Sequence, residues 1–232
     1  MAPTRPLSGP QEFDPQQAER QKRAAAEAAA ELVQDGARLG LGTGSTVAYL
    51  LPALAARGLR DVRCVATSPA TERAARALHL RLDTLDELGE LDIAIDGADQ
   101  IDQQGWLIKG GGAAHTREKI VAAAARRFVV IASAEKTVAT VSAPVPVEIL
   151  RFGAHSTLRA LGSARLREVA PSPEGNLIAD YFGAIADPAI LAVRLSGTPG
   201  VVEHGLFAPE LVSDILIAGI NGLEHRQGGK RD

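Results

Sequence analysis

The sequence predicts an α/β protein of two units, a parallel sheet covered by helices and a smaller α+β unit inserted into it. Apolar runs of strand length alternate with helical stretches through residues 20–144, as in right-handed βαβ units. From 145 to 211 the order becomes β-α-β-β-α-β, the split βαβ pattern. An apolar run at 214–218 has the composition of one more buried strand. We therefore expect a Rossmann-like unit over 20–144 and 212–232, and a ferredoxin-like unit over 145–211.

The elements of the first unit follow in chain order. Residues 1–19 are polar and are expected to form a disordered tail before an alanine-rich helix. Pro52 should kink or shorten the second helix, because proline cannot donate the helical hydrogen bond. Pro69 occupies a favoured first position of the third helix, with Glu72 near its positive end. The predicted helices are 20–34, 47–57, 67–78 and 116–127, and the predicted strands are 37–41, 61–66, 91–95, 106–108 and 128–132.

The second unit begins after the Ser142-Ala143-Pro144 break. A proline- and glycine-containing turn at 171–176 separates its two middle strands, and glycines at 197 and 200 end its second helix. The predicted strands are 145–150, 164–169, 177–182 and 201–207, and the predicted helices are 155–161 and 187–195.

Composition excludes several classes of protein. The chain is 46% hydrophobic and 23% charged, which is typical of a globular protein. A formal charge of −3 gives no general attraction to nucleic acid or to anionic membranes. No apolar run reaches the roughly 18 residues of a membrane helix, and the first 17 residues lack the apolar core of a secretory signal. Cys64 is the single cysteine and lies in an apolar strand, so we expect an inert core thiol and a cytoplasmic protein.

A first glycine cluster, GLGTGST at 40–46, lies between a strand and a helix. Such a junction directs free N–H groups and the helix dipole at an anion, which makes Thr43, Gly44, Ser45 and Thr46 candidate binding residues. No lysine precedes the Ser-Thr pair, so it is not a P-loop. The G-x-G-x-G spacing, with no acid after the second strand, does not fit a dinucleotide site either. A monophosphate fits better, although the spacing is equally compatible with a tight turn that binds nothing.

A second cluster, Asp96-Gly97-Ala98-Asp99, follows the third predicted strand, and ligands of open α/β sheets bind at that edge. Two acids there could hold Mg²⁺, accept hydrogen bonds from a polyol, or cap the next turn. Asp102 has the position of a turn residue. Two acids at one strand end favour a functional role for Asp96 and Asp99.

The third candidate is LIKGGGAAHTREKI at 107–120. Gly110, Gly111 and Gly112 form a bare loop that a ligand could approach closely, with Lys109 before it and Glu118 in the first turn of the next helix. A flexible loop with a dipole-complementing glutamate is the alternative explanation. The dipole alone would keep Glu118 ionised, as a general base requires, and the lysine could stabilise an oxyanion. We therefore hypothesise a small molecule bound between a base and a cation.

Three further residues near these motifs, Lys119, Lys136 and His115, are considered for roles in this site. The chain has 20 arginines and only five lysines, so a lysine in a loop is less likely here to be a generic solubilising charge. Lys136 follows another strand end, while Lys119 is expected to point away. His115 is the rival base, although a lone histidine is more often structural. The remaining histidines, at 79, 155, 204 and 225, have no metal-ligand spacing.

Taken together, the motifs resemble the ribose-5-phosphate isomerase A family. The matching stretches run in order from about Lys22 to Ala218: GLGTGST at 40–46, TSPATE at 67–72, DGADQID at 96–102, KGGGAAHTREKI at 109–120, ASAEK at 132–136, GNLIAD at 175–180 and PGVVEHGLF at 199–207. The chain departs from the family pattern at SPEGN (172–176), at LGSAR (161–165) and in the tail. None of these stretches contains a candidate catalytic or binding residue.

The resemblance implies interconversion of ribose 5-phosphate and ribulose 5-phosphate, in the pentose phosphate pathway, without metal or organic cofactor. It implies that Glu118 moves the proton between C1 and C2 through an enediol. Asp96 and Asp99 would engage sugar hydroxyls and help open the ring. Substrate would also lie against the first glycine cluster, Gly97, Ala98, Lys109, the three glycines and Lys136. A homodimer or homotetramer is implied as well.

Two other functions remain as alternatives at this stage. A sugar-phosphate sensor domain would share the sheet and the phosphate turn, but we expect the short N-terminal tail to leave no room for a helix-turn-helix. A metal-dependent phosphatase built on Asp96 and Asp99 would need Mg²⁺ and would release phosphate.

Overall fold

The structure is a computed structural model that describes residues 14–230. Its helices are α1 Pro15–Ala30, α2 Val47–Ala56, α3 Pro69–Ala77, α4 Leu85–Leu88, α5 His115–Ala124, α6 Ala154–Leu161 and α7 Pro188–Ser196. Its strands are β1 Arg38–Leu41, β2 Arg63–Ala66, β3 Leu91–Gly97, β4 Gln100–Ile101, β5 Leu107–Ile108, β6 Ala125–Ser133, β7 Val145–Ile149, β8 Ala164–Leu166, β9 Leu177–Tyr181, β10 Val201–His204, β11 Leu206–Phe207, β12 Asp214–Gly219 and β13 Gly222–Gln227.

The large sheet has the strand order β13-β12-β6-β3-β1-β2. Its strands are parallel except β13, which forms an antiparallel hairpin with β12. The central strands β3 and β6 carry buried apolar runs at 93–95 and 128–132, as expected of parallel strands that helices cover on both faces. The return of 214–218 to this sheet is confirmed, whereas the closing hairpin strand was not predicted.

The small unit is a four-stranded antiparallel sheet in the order β10-β7-β9-β8, with α6 and α7 as its helices. This order is that of a split βαβ unit, so the predicted class is confirmed. Its own core contains Val145, Val147, Ile149, Leu161 and Leu195, all completely buried.

A third sheet, β11-β5-β4, joins the two units and was not predicted. The predicted strand 201–207 is divided at Gly205, with β10 pairing to β7 and β11 to β5. The Gly205 N–H donates to the Pro146 carbonyl at 2.7 Å, and the Gly205 carbonyl accepts from the Lys109 N–H at 2.9 Å. A Cβ at Gly205 would lie 2.0 Å from the Lys109 carbonyl oxygen, so this crossing requires glycine.

Three helix boundaries differ from the prediction by three residues or more, and the strand predicted over 164–169 ends at Leu166. The first helix begins at Pro15, where Asp14 caps it by accepting from the Gln16 N–H, so the predicted disordered tail is wrong for 15–19. Residues 1–13 of that tail lie outside the described residues. The same helix ends at Ala30, before the predicted 34. The helix predicted over 116–127 ends at Ala124, because 125–127 begin the central strand β6.

Pro52 lies inside α2, which continues to Ala56. Within residues 14–230 no helix has the length and apolarity to cross a membrane.

Candidate active site

A cavity of about 220 Å³ lies where β1 and β3 end and the loop after β5 begins. Every predicted substrate residue except Asp96 lines it, together with Glu118. The lining comprises Thr43, Gly44, Ser45, Thr46, Gly97, Ala98, Asp99, Lys109, Gly110, Gly111, Gly112, Glu118 and Lys136. A larger opening of about 550 Å³ lies beside α3, α4 and the outer face of α5, and it contains none of the predicted site residues.

The junction of β1 and α2 forms one wall. No side chain caps α2, and the Ala48 and Tyr49 N–H groups donate to the Gly44 and Thr46 carbonyls. The N–H groups of residues 44–47 have no acceptor among the described residues and are therefore available to an anion. Thr43 donates its N–H to Asp96 Oδ1 at 3.0 Å, and a Cβ at Gly42 would lie 2.0 Å from the Asp96 carboxylate. Gly44 has φ +124°, a conformation that favours glycine. The first glycine cluster is therefore packed directly against the second acidic cluster.

Lys109 lies between two carboxylates. Its Nζ is 2.9 Å from Asp96 Oδ2 and 3.1 Å from Glu118 Oε2, and it donates to the Gly97 carbonyl at 2.5 Å. All three charged side chains are at least 96% buried. Two acids thus share one buried ammonium group, a pairing across separate elements that sequence spacing alone did not reveal.

Burial raises the pKa of Glu118 to about 8, and the neighbouring charge of Asp96 contributes to the rise. The expectation that the helix dipole keeps Glu118 ionised is therefore wrong, because desolvation outweighs a dipole contribution of about 0.3–1 kcal/mol. Burial also raises the pKa of Asp96, against the charge of Lys109. For Lys109, burial would lower the pKa, but the two carboxylates outweigh it and raise the pKa.

Neither Asp96 Oδ2 nor Glu118 Oε2 accepts an aligned hydrogen bond from any residue in the described range. Glu118 therefore combines a pKa near neutrality with an oxygen that lacks a proper donor. A carboxylate in this state can take a proton from a ligand and return it at physiological pH.

Asp96 and Asp99 have different positions. Asp96 does not line the cavity, because its Oδ1 accepts from the Thr43 and Gly97 N–H groups and its Oδ2 lies against Lys109. The prediction that Asp96 binds a ligand stays a prediction, for a side chain that lies behind the cavity wall. Asp99 does line the cavity, and its Oδ2 accepts from the Gly111 N–H at 2.8 Å.

The acidic pair does not form a metal site. The Lys109 ammonium already occupies the free side of Asp96. Among residues 14–230, no group of three or more metal-ligating side chains is close enough to hold an ion. Asp102 is the expected turn residue, since its Oδ1 accepts from the Gln104 and Trp106 N–H groups, both at 2.9 Å.

Of the other basic residues near the site, His115 and Lys119 lie outside the cavity, whereas Lys136 lines it. His115 is completely buried, and burial lowers its pKa to about 4, so it is neutral. Lys119 points away as predicted, with its Nζ 2.7 Å from Glu203 Oε1 and from the His204 carbonyl. Lys136 is half-buried at the rim, in the short 3₁₀ segment Ala134–Lys136 that follows β6.

Several residues that support the site were not predicted from the sequence. Thr67 bonds the Thr43 hydroxyl at 2.8 Å, and Thr71 donates to the Gly42 carbonyl at 2.8 Å. Both lie in the TSPATE motif, which was noted without a role. From the small unit, Arg167 reaches the glycine loop, and Glu148 reaches the first turn of α5. The two residues in the first of these contacts are 57 positions apart in the chain, and those in the second are 32 apart. No local sequence motif predicts such pairs.

The fold and the cavity define a class of protein. It is an α/β protein with a small polar site at the carboxyl edge of a parallel sheet, where a helix N-terminus without a side-chain cap lies close to a buried lysine–carboxylate cluster.

Comparison with known proteins identifies the family within that class. The family described as ribose 5-phosphate isomerase A (phosphoriboisomerase A) matches residues 63–222. Ribose-5-phosphate isomerase A of Methanosarcina acetivorans is 47% identical over 217 residues, which cover 87% of this chain and 92% of that protein. The protein of the same name from Methylorubrum extorquens is 49% identical over 217 residues, covering 85% and 92%.

Solved structures agree. Ribose 5 phosphate isomerase A from Neisseria gonorrhoeae has a TM-score of 0.87 at 32% identity, covering 90% of this chain and 97% of that one. A D-ribose-5-phosphate isomerase in complex with phospho-erythronic acid has a TM-score of 0.86 at 32% identity, covering 90% and 99%. The chain belongs to the ribose 5-phosphate isomerase A family.

Proposed function

We propose that this chain interconverts D-ribose 5-phosphate and D-ribulose 5-phosphate through an enediolate, with Glu118 as general base. One observation carries the proposal: the Glu118 carboxylate and the Lys109 ammonium, 3.1 Å apart, line the same small cavity. The family membership supports the choice of substrate. The reaction belongs to the non-oxidative pentose phosphate pathway.

The phosphate is proposed to bind at the start of α2. Free N–H groups there, with the hydroxyls of Thr43, Ser45 and Thr46, suit the oxygens of a phosphate monoester. Lys136 lines the same cavity and supplies a positive charge. With the phosphate held there, C1 and C2 of an open-chain pentose would extend toward Glu118 and Lys109.

The proton transfer follows from that placement. Glu118 takes the proton from C2 of the aldose, and the electron pair moves through C1 to leave a negative charge on O1. The charge of Lys109 stabilises this enediolate in a site from which water is largely excluded. A proton then shifts from O2 to O1, and Glu118 returns its proton to C1 to give the ketose. We propose that Asp99 binds the sugar hydroxyls and assists ring opening.

Asp96 is proposed to act through its neighbours. Its negative charge raises the pKa of Glu118 and holds Lys109 in place. It is thus a positioning residue rather than a group that contacts substrate.

The two alternatives are weaker. A sensor domain is not favoured, because the chain's relatives are named as isomerases. A metal-dependent phosphatase would need Asp96 to bind a cation, but Lys109 already neutralises it. We extend the proposal to a cytoplasmic homodimer or homotetramer, for which sedimentation of the purified chain is the test.

The function is tested by measuring ketopentose formation from ribose 5-phosphate by the purified protein in excess EDTA. Turnover without released phosphate supports the isomerase. Activity that appears only with Mg²⁺ would favour the phosphatase, and binding of ribose 5-phosphate without turnover would favour the sensor. A parallel preparation from cells that do not express the chain controls for contaminating isomerase.

A further inference from the structure

The peptide unit between Gly110 and Gly111 is held at both ends by groups from different units of the protein. Its carbonyl, on Gly110, accepts a hydrogen bond from Arg167 Nη1 of the small unit at 2.9 Å. Its N–H, on Gly111, donates to Asp99 Oδ2 of the large unit at 2.8 Å. A trans peptide directs these two groups in opposite directions, so the bonds together fix the plane of the peptide.

Arg167 is itself rigidly held. Its Nε donates to Asp180 Oδ2 at 2.9 Å, and its Nη2 pairs with Asp180 Oδ1. This two-pronged pairing sets the orientation of the guanidinium plane and leaves Nη1 for the glycine loop. The Arg167 side chain is 18% exposed and that of Asp180 is 16% exposed, which limits competition from water. Arg167 does not line the cavity, so its contact with the site runs through the loop backbone.

The loop needs such an external constraint. Glycine adopts many backbone conformations, and a peptide between two glycines can rotate at low cost. Gly110 has φ +109°, and a Cβ at Gly111 would lie 3.0 Å from Asp99 Oδ1. The loop is therefore in close contact with the carboxylate while having no side chains of its own to fix it.

We propose that Arg167 is a positioning residue that acts on Asp99 through the Gly110–Gly111 peptide. Its positive charge polarises the carbonyl, which strengthens the N–H at the other end of the same peptide as a donor to Asp99. The bond orients the carboxylate so that its second oxygen is presented to the ligand. The consequence for catalysis rests on the proposed function, in which Asp99 contacts the sugar.

Kinetics of Arg167→Met test the inference. A charged hydrogen bond is lost, and we expect kcat/KM to fall about tenfold to a hundredfold. Arg165→Met is the matched control, because Arg165 is exposed, two residues away, and lies over the Phe182 ring rather than the loop. It should change kcat/KM by less than about twofold. Arg167→Lys, which keeps the charge but loses the fork, should recover part of the activity.

A double-mutant cycle with Asp99→Ala identifies the route of the effect. If Arg167 acts through Asp99, Arg167→Met should cost less than about threefold in the Asp99→Ala background. If the free-energy losses in kcat/KM of the two single variants simply add in the double variant, the inference is overturned. It is also overturned if Arg167→Met has the same kcat/KM as the wild type. Melting temperatures of all variants show whether folding is affected. If Arg167→Met does not fold, Arg167→Lys and Asp180→Asn replace it in the same kinetic measurements.

Amide hydrogen exchange at Gly111 gives a readout that needs no enzymatic activity. The Gly111 N–H should exchange faster in Arg167→Met than in the wild type and in Arg165→Met. Unchanged exchange would overturn the positioning role. An inactive wild type whose Gly111 exchange still depends on Arg167 would instead overturn the proposed function alone.

Discussion

Two buried glutamates meet at the first turn of α5 and have opposite surroundings: Glu118 belongs to that turn, and Glu148 accepts a hydrogen bond from Thr116 in it. Glu148, on β7 of the small unit, is completely buried and accepts hydrogen bonds from neutral donors on both oxygens. The donors are Thr116 at 2.5 Å, Ser172 at 2.6 Å and Asn176 at 2.8 Å. Glu118 is 97% buried, shares one lysine with Asp96, and has an oxygen without an aligned donor.

The difference separates a carboxylate suited to a structural role from the one that we propose as the general base. Glu148 joins α5 to the turn at 171–176, and its oxygens are fully bonded by groups that need no proton exchange. Glu118 is held near a pKa of about 8 by burial and a like charge, which is unfavourable for the fold and useful for proton transfer. Burial alone does not distinguish the two residues, but the number and charge of their partners does.

The largest expected effect is on turnover in Glu118→Gln. The amide cannot take up a proton, so kcat should fall by about 10³-fold or more while KM changes little. Steady-state kinetics with ribose 5-phosphate measure both quantities. A rate close to that of the wild type would remove Glu118 from the mechanism and leave the acid–base centre unassigned.

Glu148→Gln should reverse the pattern, with a loss of stability rather than of chemistry. The new NH₂ group would face a hydroxyl or amide donor, and we expect the free energy of unfolding to drop by about 1–3 kcal/mol. Urea denaturation measures the loss. kcat for the folded fraction should stay within about threefold of the wild type, so a collapse of kcat with unchanged stability would contradict the comparison.

The stability of Glu118→Gln should depend on pH in a defined direction. The folded pKa of Glu118, about 8, lies above its ordinary value of 4.5. Its protonated form therefore stabilises the wild type fully below about pH 4.5, and that stabilisation is lost as the pH rises through 8. Glu118→Gln should thus gain stability relative to the wild type between pH 5 and pH 9. The urea midpoints of the variant and the wild type, measured across this pH range, test the prediction. A difference between them that does not change with pH would refute the raised pKa.

Asp96→Asn should shift the pH profile. Loss of the neighbouring negative charge lowers the pKa of Glu118, so the acid limb of kcat/KM should move to lower pH. We expect a shift of about one pH unit, which is tenfold in relative rate on the limb. The shift is measured from profiles of kcat/KM between pH 5 and pH 9, each normalised to its maximum. An unmoved limb would mean that Asp96 does not influence the titrating group.

The smallest effect is expected from Arg117→Met, next to Glu118 in the chain. Arg117 pairs with Glu174 at 2.6 Å, but both side chains are more than a third exposed. Solvent screening limits such a pair to about 1 kcal/mol of stability, and kcat/KM should change less than about threefold. A large change in kcat/KM would show that a charge outside the cavity also affects the pKa of Glu118.

The sequence indicated the parts of the site that depend on local order. Glycine clusters at strand ends, an acid pair and a lysine before a helix all lie at one edge of the sheet once the strands are parallel. This local order predicted that Lys109, Asp99 and Glu118 lie close together, and the three residues do line one cavity. The interaction of Asp96 with Lys109 depends on the side-chain directions of two separate elements, and the pKa of Glu118 depends on burial. Neither quantity has a local signature in the chain.

Two fold boundaries show the same limit. Asp14-Pro15 is a helix start that sequence rules describe, yet the polar residues after it concealed the helix. Residues 201–207 have the composition of one strand, and only the close contact of Gly205 with Lys109 divides them between two sheets.

That division at Gly205 has a consequence for protein engineering. A shortened chain that joined residue 144 to residue 212 would delete β11, the strand that pairs with β5 immediately before Lys109. The inserted unit is therefore not a removable module, although its core and topology are its own. New termini for a circularly permuted chain belong instead at the β12–β13 turn, where residues 220–223 are exposed and far from this crossing in the chain.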